Sequence, residues 1–110
     1  MAALDTKDLL GPILNAIKPV LDKYWGDVSD YAKTEAEKLA KTLANITELR
    51  VANKITDQQA QALLDMQKHS MQSVLLTVEG IGIVATQNAI NAALGAVKDV
   101  VNKAIGFTLV

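Results

Sequence analysis

Cysteine is absent from this 110-residue chain, which excludes a disulfide framework, thiol catalysis and a Cys-ligated zinc site. Histidine occurs once, at His69, too few for a metal centre built on several nitrogen ligands. Aromatic residues are confined to Tyr24, Trp25, Tyr31 and Phe107. The 50% of the chain that is hydrophobic is therefore mostly Ala, Leu, Ile and Val, a composition suited to close-packed helices. Net charge is also scarce: 11 basic and 12 acidic side chains leave −1. They are interspersed, so there is no electrostatic footprint for nucleic acid.

No phosphate loop, nucleophile motif or internal repeat occurs, so neither an enzyme nor a cofactor or small-molecule site is expected. Met1-Ala2-Ala3-Leu4-Asp5 lacks the basic and apolar regions of a secretory signal, and a cytoplasmic location is the default expectation. A chain of this length can bury roughly 65% of the surface its unfolded form exposes, enough for one all-α domain spanning residues 1–110.

What is present is helical periodicity. Leu10, Ile13, Leu14, Ile17, Val20, Leu21 and Tyr24 are spaced three and four apart and predict a helix over 6–24, capped by Asp5 or Thr6. Pro12 and Pro19 each remove a backbone donor and should kink it. Trp25-Gly26-Asp27 is read as a break, with Asp27 or Ser29 capping a second helix over 28–52. That helix has one narrow stripe, Val28, Ala32, Ala36, Leu39, Leu43, Ile46 and Leu49, with Lys33, Glu35, Glu37, Lys38, Lys41 and Glu48 on the wet faces. Glu37 and Lys41 form an i,i+4 pair contributing about 0.3 kcal/mol. A turn at Asn53-Lys54-Ile55 follows, and Thr56 with Gln59 makes a capping box.

From residue 57 to residue 105 there is no proline and no loop cluster, so the pattern predicts a single helix about 73 Å long at ~1.5 Å per residue. Gly80 and Gly82 form its hinge, since paired glycines mark bends and close approaches. One stripe runs the whole length: Leu64, Met71, Leu75, Val78, Gly82, Ala85, Ala89, Ala92, Ala93, Ala96 and Val100. Within it Gly82, Ala85, Ala89, Ala93 and Ala96 are candidates for close helix packing. A second face carries Asp65, Lys68, His69, Gln72 and Glu79 before Gly80, then Ile83, Ile90, Leu94, Val97, Val101 and Ile105 after it. From Gly80 to Val97 no residue is charged.

Two architectures accommodate that apolar second half. In the favoured one the helix is continuous and forms a long antiparallel hairpin with the second helix, completed as a coiled-coil-like bundle by another copy across Ile83, Ile90, Leu94, Val97, Val101 and Ile105. In the alternative the chain breaks at Gly80-Gly82 and folds back as a monomeric four-helix bundle. The absence of Asn, Asp or Pro beside the glycines favours the first.

Smaller signals are read conservatively. His69, with Asp65 and Gln72 nearby, is expected to be a solvated side chain, and Glu79 to end the solvated face without an acid–base partner. Gln87, Asn88, Asn91 and Asn102 form either a register-fixing polar seam or a solvent strip. Asn45-Ile46-Thr47 matches a glycosylation acceptor but lies mid-helix. The expected role is thus a non-enzymatic, self-associating structural or adaptor module. The competing expectation is a membrane-surface or membrane-active protein using helix 6–24 and the uncharged run 80–97. On the favoured reading Leu94→Asp dissociates the assembly or unfolds it.

Overall fold

In the computed structural model residues 6–106 and residue 109 are described; Asp5 and Phe107 lie outside them. Among the described residues four helices follow one another without a strand: α1 (Thr6–Val20), α2 (Trp25–Val51), α3 (Asp57–Leu76) and α4 (Gly82–Ile105). α1 contains both prolines and stops one residue after Pro19. A short 3-10 turn, Asp22–Tyr24, then leads directly into α2. The break expected at Trp25-Gly26-Asp27 is therefore displaced: these residues form the first turn of α2, and no side chain caps it. The interruption falls earlier: the Leu21 N–H still donates to the Ile17 carbonyl at 3.0 Å, and the chain then tightens, with the Tyr24 N–H donating to the Leu21 carbonyl at 2.9 Å.

The turn after α2 forms where the sequence places it. Asn53 takes a left-handed conformation (φ 62°), and the Lys54 N–H donates to the Leu49 carbonyl at 2.9 Å, closing a Schellman-type end with asparagine in the position glycine usually takes. Arg50 clamps the loop, donating to the Ile55 carbonyl at 2.9 Å and pairing with Asp57 at 2.7 Å. The capping box is complete. The Gln59 N–H donates to Thr56 Oγ1 at 3.1 Å, and the Thr56 N–H to Gln59 Oε1 at 2.8 Å.

The long helix of 57–105 is not formed. α3 ends at Leu76, and after the five residues 77–81 α4 begins in a new direction. Gly80 and Gly82, one on each side of Ile81, have φ of 89° and 72°, values an L side chain resists. Two left-handed residues so close together reverse the chain without any Asn, Asp or Pro. Val78 and Ile81, buried at 9% and 4% exposure, anchor the turn in the core. The folded-back bundle, the less favoured alternative, is the observed architecture.

The reversal lays α4 against α1, the most extensive helix contact in the molecule, while α2 also meets α1, α3 and α4. Antiparallel neighbours thus run α1, α2, α3, α4 around one core cluster, with α2 and α4 touching across the diagonal. The longest dimension is 42 Å, well short of the ~73 Å of a continuous helix. Full burial of an Ile, Leu or Val side chain is worth about 1.5–3 kcal/mol. Burying Ile90, Leu94, Val97 and Val101 outweighs interrupting a few helical hydrogen bonds at about 1 kcal/mol net each.

Glycine replacement gives opposite signs for the two architectures. In the observed fold Gly82→Ala has steric room but forces alanine to positive φ, and should cost about 1–2 kcal/mol. Gly95→Ala, within α4 and also with open space around it, should stabilise by about 1 kcal/mol. Denaturant midpoints followed by circular dichroism check this; stabilisation by both substitutions would restore the continuous helix.

Candidate interaction surface

The expected interface residues divide sharply. Ile90, Leu94, Val97 and Val101 are at 5%, 8%, 1% and 0% exposure, inside the chain's own core. They do not form a surface for a second copy, because α1 already covers them once the chain turns at 77–81. Ile105 is half-buried against the same core, and Ile83, in the first turn of α4, stays 43% exposed. Among the small residues, Ala89 and Ala93 are fully buried, Ala85 is partly buried, and Gly82 and Ala96 face solvent. The two halves of the predicted stripe are out of phase because the turn resets the helix.

Individual polar positions resolve as follows. Gln87, Asn88 and Asn91 are exposed, forming a solvent strip and not a buried seam. Asn102 is half-buried and its Oδ1 accepts from the Leu109 N–H at 2.9 Å, tying Leu109 to α4. Glu79 is exposed in the turn. His69 is exposed at the edge of a cleft of about 290 Å³ between α3 and α4, with Lys68, Gln72, Gln87 and Asn91 around it and Ile90 below. Among the described residues no group of three or more His, Asp or Glu is placed to hold a metal ion. Within Asn45-Ile46-Thr47 the threonine is buried and its hydroxyl donates to the Leu43 carbonyl at 2.8 Å.

Glu35 is the residue the sequence misplaces. Assigned to the wet side of α2, it is 1% exposed. Its position fits the stripe, since 28, 32, 35, 39, 43 and 46 keep the three-and-four spacing; its acidic identity hid it. Oε2 meets Lys38 Nζ at 3.2 Å, with Lys38 itself 55% exposed, while Oε1 is buried without a partner. α2 buries a broader face than its apolar stripe because it touches all three other helices.

The apolar stripe of the N-terminal segment is turned inward, while Ile83 and Val84 of the uncharged run stay exposed. Leu9, Ile13, Ile17 and Leu21 of the N-terminal segment are buried, and Lys18 lies over the half-buried Trp25 ring at 5.8 Å. Among the described residues no helix is long and apolar enough to cross a membrane.

What remains outside is unevenly charged. The exposed positions of α2 include Asp27, Asp30, Lys33, Glu37, Lys38, Lys41 and Glu48. On α4, by contrast, the exposed residues from Gly82 to Ala96 are Ile83, Val84, Gln87, Asn88, Asn91 and the small Gly82, Gly95 and Ala96. Val84 is 66% exposed. A surface of apolar, amide and small side chains without ions loses little on dehydration, whereas a charged one must leave its hydration behind. Neither a known protein family, nor a curated protein, nor a solved structure matches the chain.

Two stability outcomes follow. Leu94→Asp should unfold the chain, costing several kcal/mol for an unpaired buried carboxylate, with circular dichroism reporting lost helicity. Glu35→Leu should leave stability unchanged or raise it, whereas Lys38→Ala, which strands the buried carboxylate, should lower it by about 1–3 kcal/mol. Urea midpoints of the two variants decide; the reverse order would place Glu35 in water.

Proposed function

We propose that this chain is a non-enzymatic helical module that assembles with copies of itself through the outer side of α4. The observation that carries the reading is the charge-free exposed stretch from Gly82 to Ala96, headed by Ile83 at 43% and Val84 at 66% exposure. A helix that shows water no ions across four turns is suited to being covered, because interface cores are depleted in charge. Two further properties of α4 support it. Gly95 and Ala96 allow a partner's backbone to approach closely, and the amides of Asn88 and Asn91 can both donate and accept at a rim. The role is mechanical: four helices hold one uncharged edge rigid and in a fixed direction.

Sedimentation velocity and light scattering on the full chain at tens of micromolar test this. The unmodified protein should have a mass above one chain. Val84→Lys should shift it toward the monomer while its unfolding midpoint moves by no more than about 0.5 kcal/mol, as for an exposed position. A wild-type protein that stays monomeric over that range refutes the proposal.

A further inference from the structure

We propose that the cleft between α3 and α4 is a binding site for a small organic carboxylate, whose anionic end meets Lys68 and whose hydrocarbon part lies on Ile90. The site does not depend on self-association, although Gln87 and Asn91 also belong to the uncharged surface of α4. On α3, Gln72 follows Lys68 by four residues and His69 by three; on α4, Ile90 and Asn91 follow Gln87 by three and four. Each set therefore shares one helix face. The reversal at 77–81 folds these faces together, bringing residues about equally far from the turn to the same level. No local motif announces the site because its halves lie on separate helices.

Unspent donors single this cleft out. Lys68, His69, Gln72, Gln87 and Asn91 line it without a carboxylate among them, and every one can donate a hydrogen bond. None of the five side chains hydrogen-bonds or ion-pairs with another described residue. Elsewhere on α3 the glutamines are engaged: Gln59 closes the cap, Gln61 donates to Asp65 Oδ1 at 3.2 Å, and Gln67 accepts from Thr42. Asp65, three residues before Lys68, makes no ion pair with it. A half-buried ammonium with no acceptor from its own chain favours an anion from outside. Other concavities lack this combination. At the α2–α3 turn Arg50 and Asp57 are paired with each other at 2.7 Å. The groove between α2 and α3, with Met66 68% exposed at its rim, has no charged lining residue to select a ligand.

The donor set also selects the class of anion. Phosphate is ordinarily held by an arginine fork or a helix N-terminus, and neither lines the cleft. One ammonium beside imidazole and amide donors suits a monoanion. A carboxylate takes two or more of these donors with Lys68 Nζ as its counter-charge. The volume of about 290 Å³ leaves space over Ile90 for a short hydrocarbon chain, giving the mix of apolar floor and few convergent polar groups that small-molecule sites have.

Butyrate titrated into the full chain, with the side-chain amide signals of Gln72, Gln87 and Asn91 followed by NMR, tests the site. The signals should shift saturably in the millimolar range. Butyramide, similar in shape but uncharged, should bind at least about tenfold more weakly, as expected when a charged hydrogen bond is lost. Acetate should bind at least about threefold more weakly for its missing methylenes. Lys68→Gln should lose about tenfold in butyrate affinity, Lys68→Arg should keep most of it, and Lys41→Gln on the exposed side of α2 should match wild type. Gln72→Leu replaces Lys68→Gln if circular dichroism shows that variant to be misfolded. The site is overturned if butyrate causes no saturable shift, if butyramide or inorganic phosphate binds as tightly, or if Lys68→Gln binds like wild type. Sedimentation of the same samples reports assembly separately: a monomeric wild type that binds butyrate keeps the site and removes only self-association.

Discussion

The contact of α1 with α4 is the one on which the rest of this molecule depends. α4 is apolar over most of its circumference, and α2 and α3 together cannot cover it: α2 reaches it across the diagonal and α3 meets it less extensively than α1 does. A short N-terminal helix with two prolines supplies the missing wall through Leu9, Ile13 and Ile17, continued by Leu21 just after it. This arrangement requires the sharp reversal at residues 77–81. Without it the aliphatic face of α4 would lie beyond the reach of α1, at the far end of a rod.

The core is correspondingly plain. It consists almost entirely of Leu, Ile, Val, Ala and one Met, with Glu35, Thr47 and Thr86 as its buried polar members. The two threonines satisfy their hydroxyls on carbonyls four residues earlier in the same helix. Glu35 has no such local solution and leans on Lys38, whose aliphatic stem brings an ammonium from solvent to the edge of the core. The exposed Glu37–Lys41 pair at 3.4 Å contributes little by comparison, as exposed pairs do. The charged side of the bundle keeps the molecule hydrated, while the exposed positions of α4 from Gly82 to Ala96 are left free of ions.

Much of this was legible in the sequence, and what was not has definite physical causes. Periodicity placed most of the helical residues but joined α3 and α4 into one helix and started α2 three residues late, and Thr56 with Gln59 announced a helix start because that chemistry is local. Asn53 marked a turn for the same reason. The reversal at Gly80 and Gly82 was misjudged because a glycine inside a helix and a glycine at positive φ are the same letter; the difference lies in the backbone, and it is decided by how much apolar surface folding back can bury. The interface residues on α4 followed that error: Ile90 and Leu94 were rightly seen to need cover, but the cover came from the same chain. Glu35 was misplaced because polarity was weighed above spacing, and spacing was right. Val84 and Met66 stood out only when burial had removed the neighbouring apolar residues from consideration.

The order of helices has a temporal side. α2 and α3 are adjacent in sequence and share a self-sufficient turn, so their hairpin needs little loop closure. α1, in contrast, closes mainly on a helix that starts more than sixty residues after its own end. Contacts of such sequence separation form late, and on a growing chain the apolar stripe of α1 is synthesised long before its partner exists. For that interval Leu9, Ile13 and Ile17 have an incomplete pocket, so the step that completes the core is also the one that withdraws this molecule's stickiest surface from its neighbours.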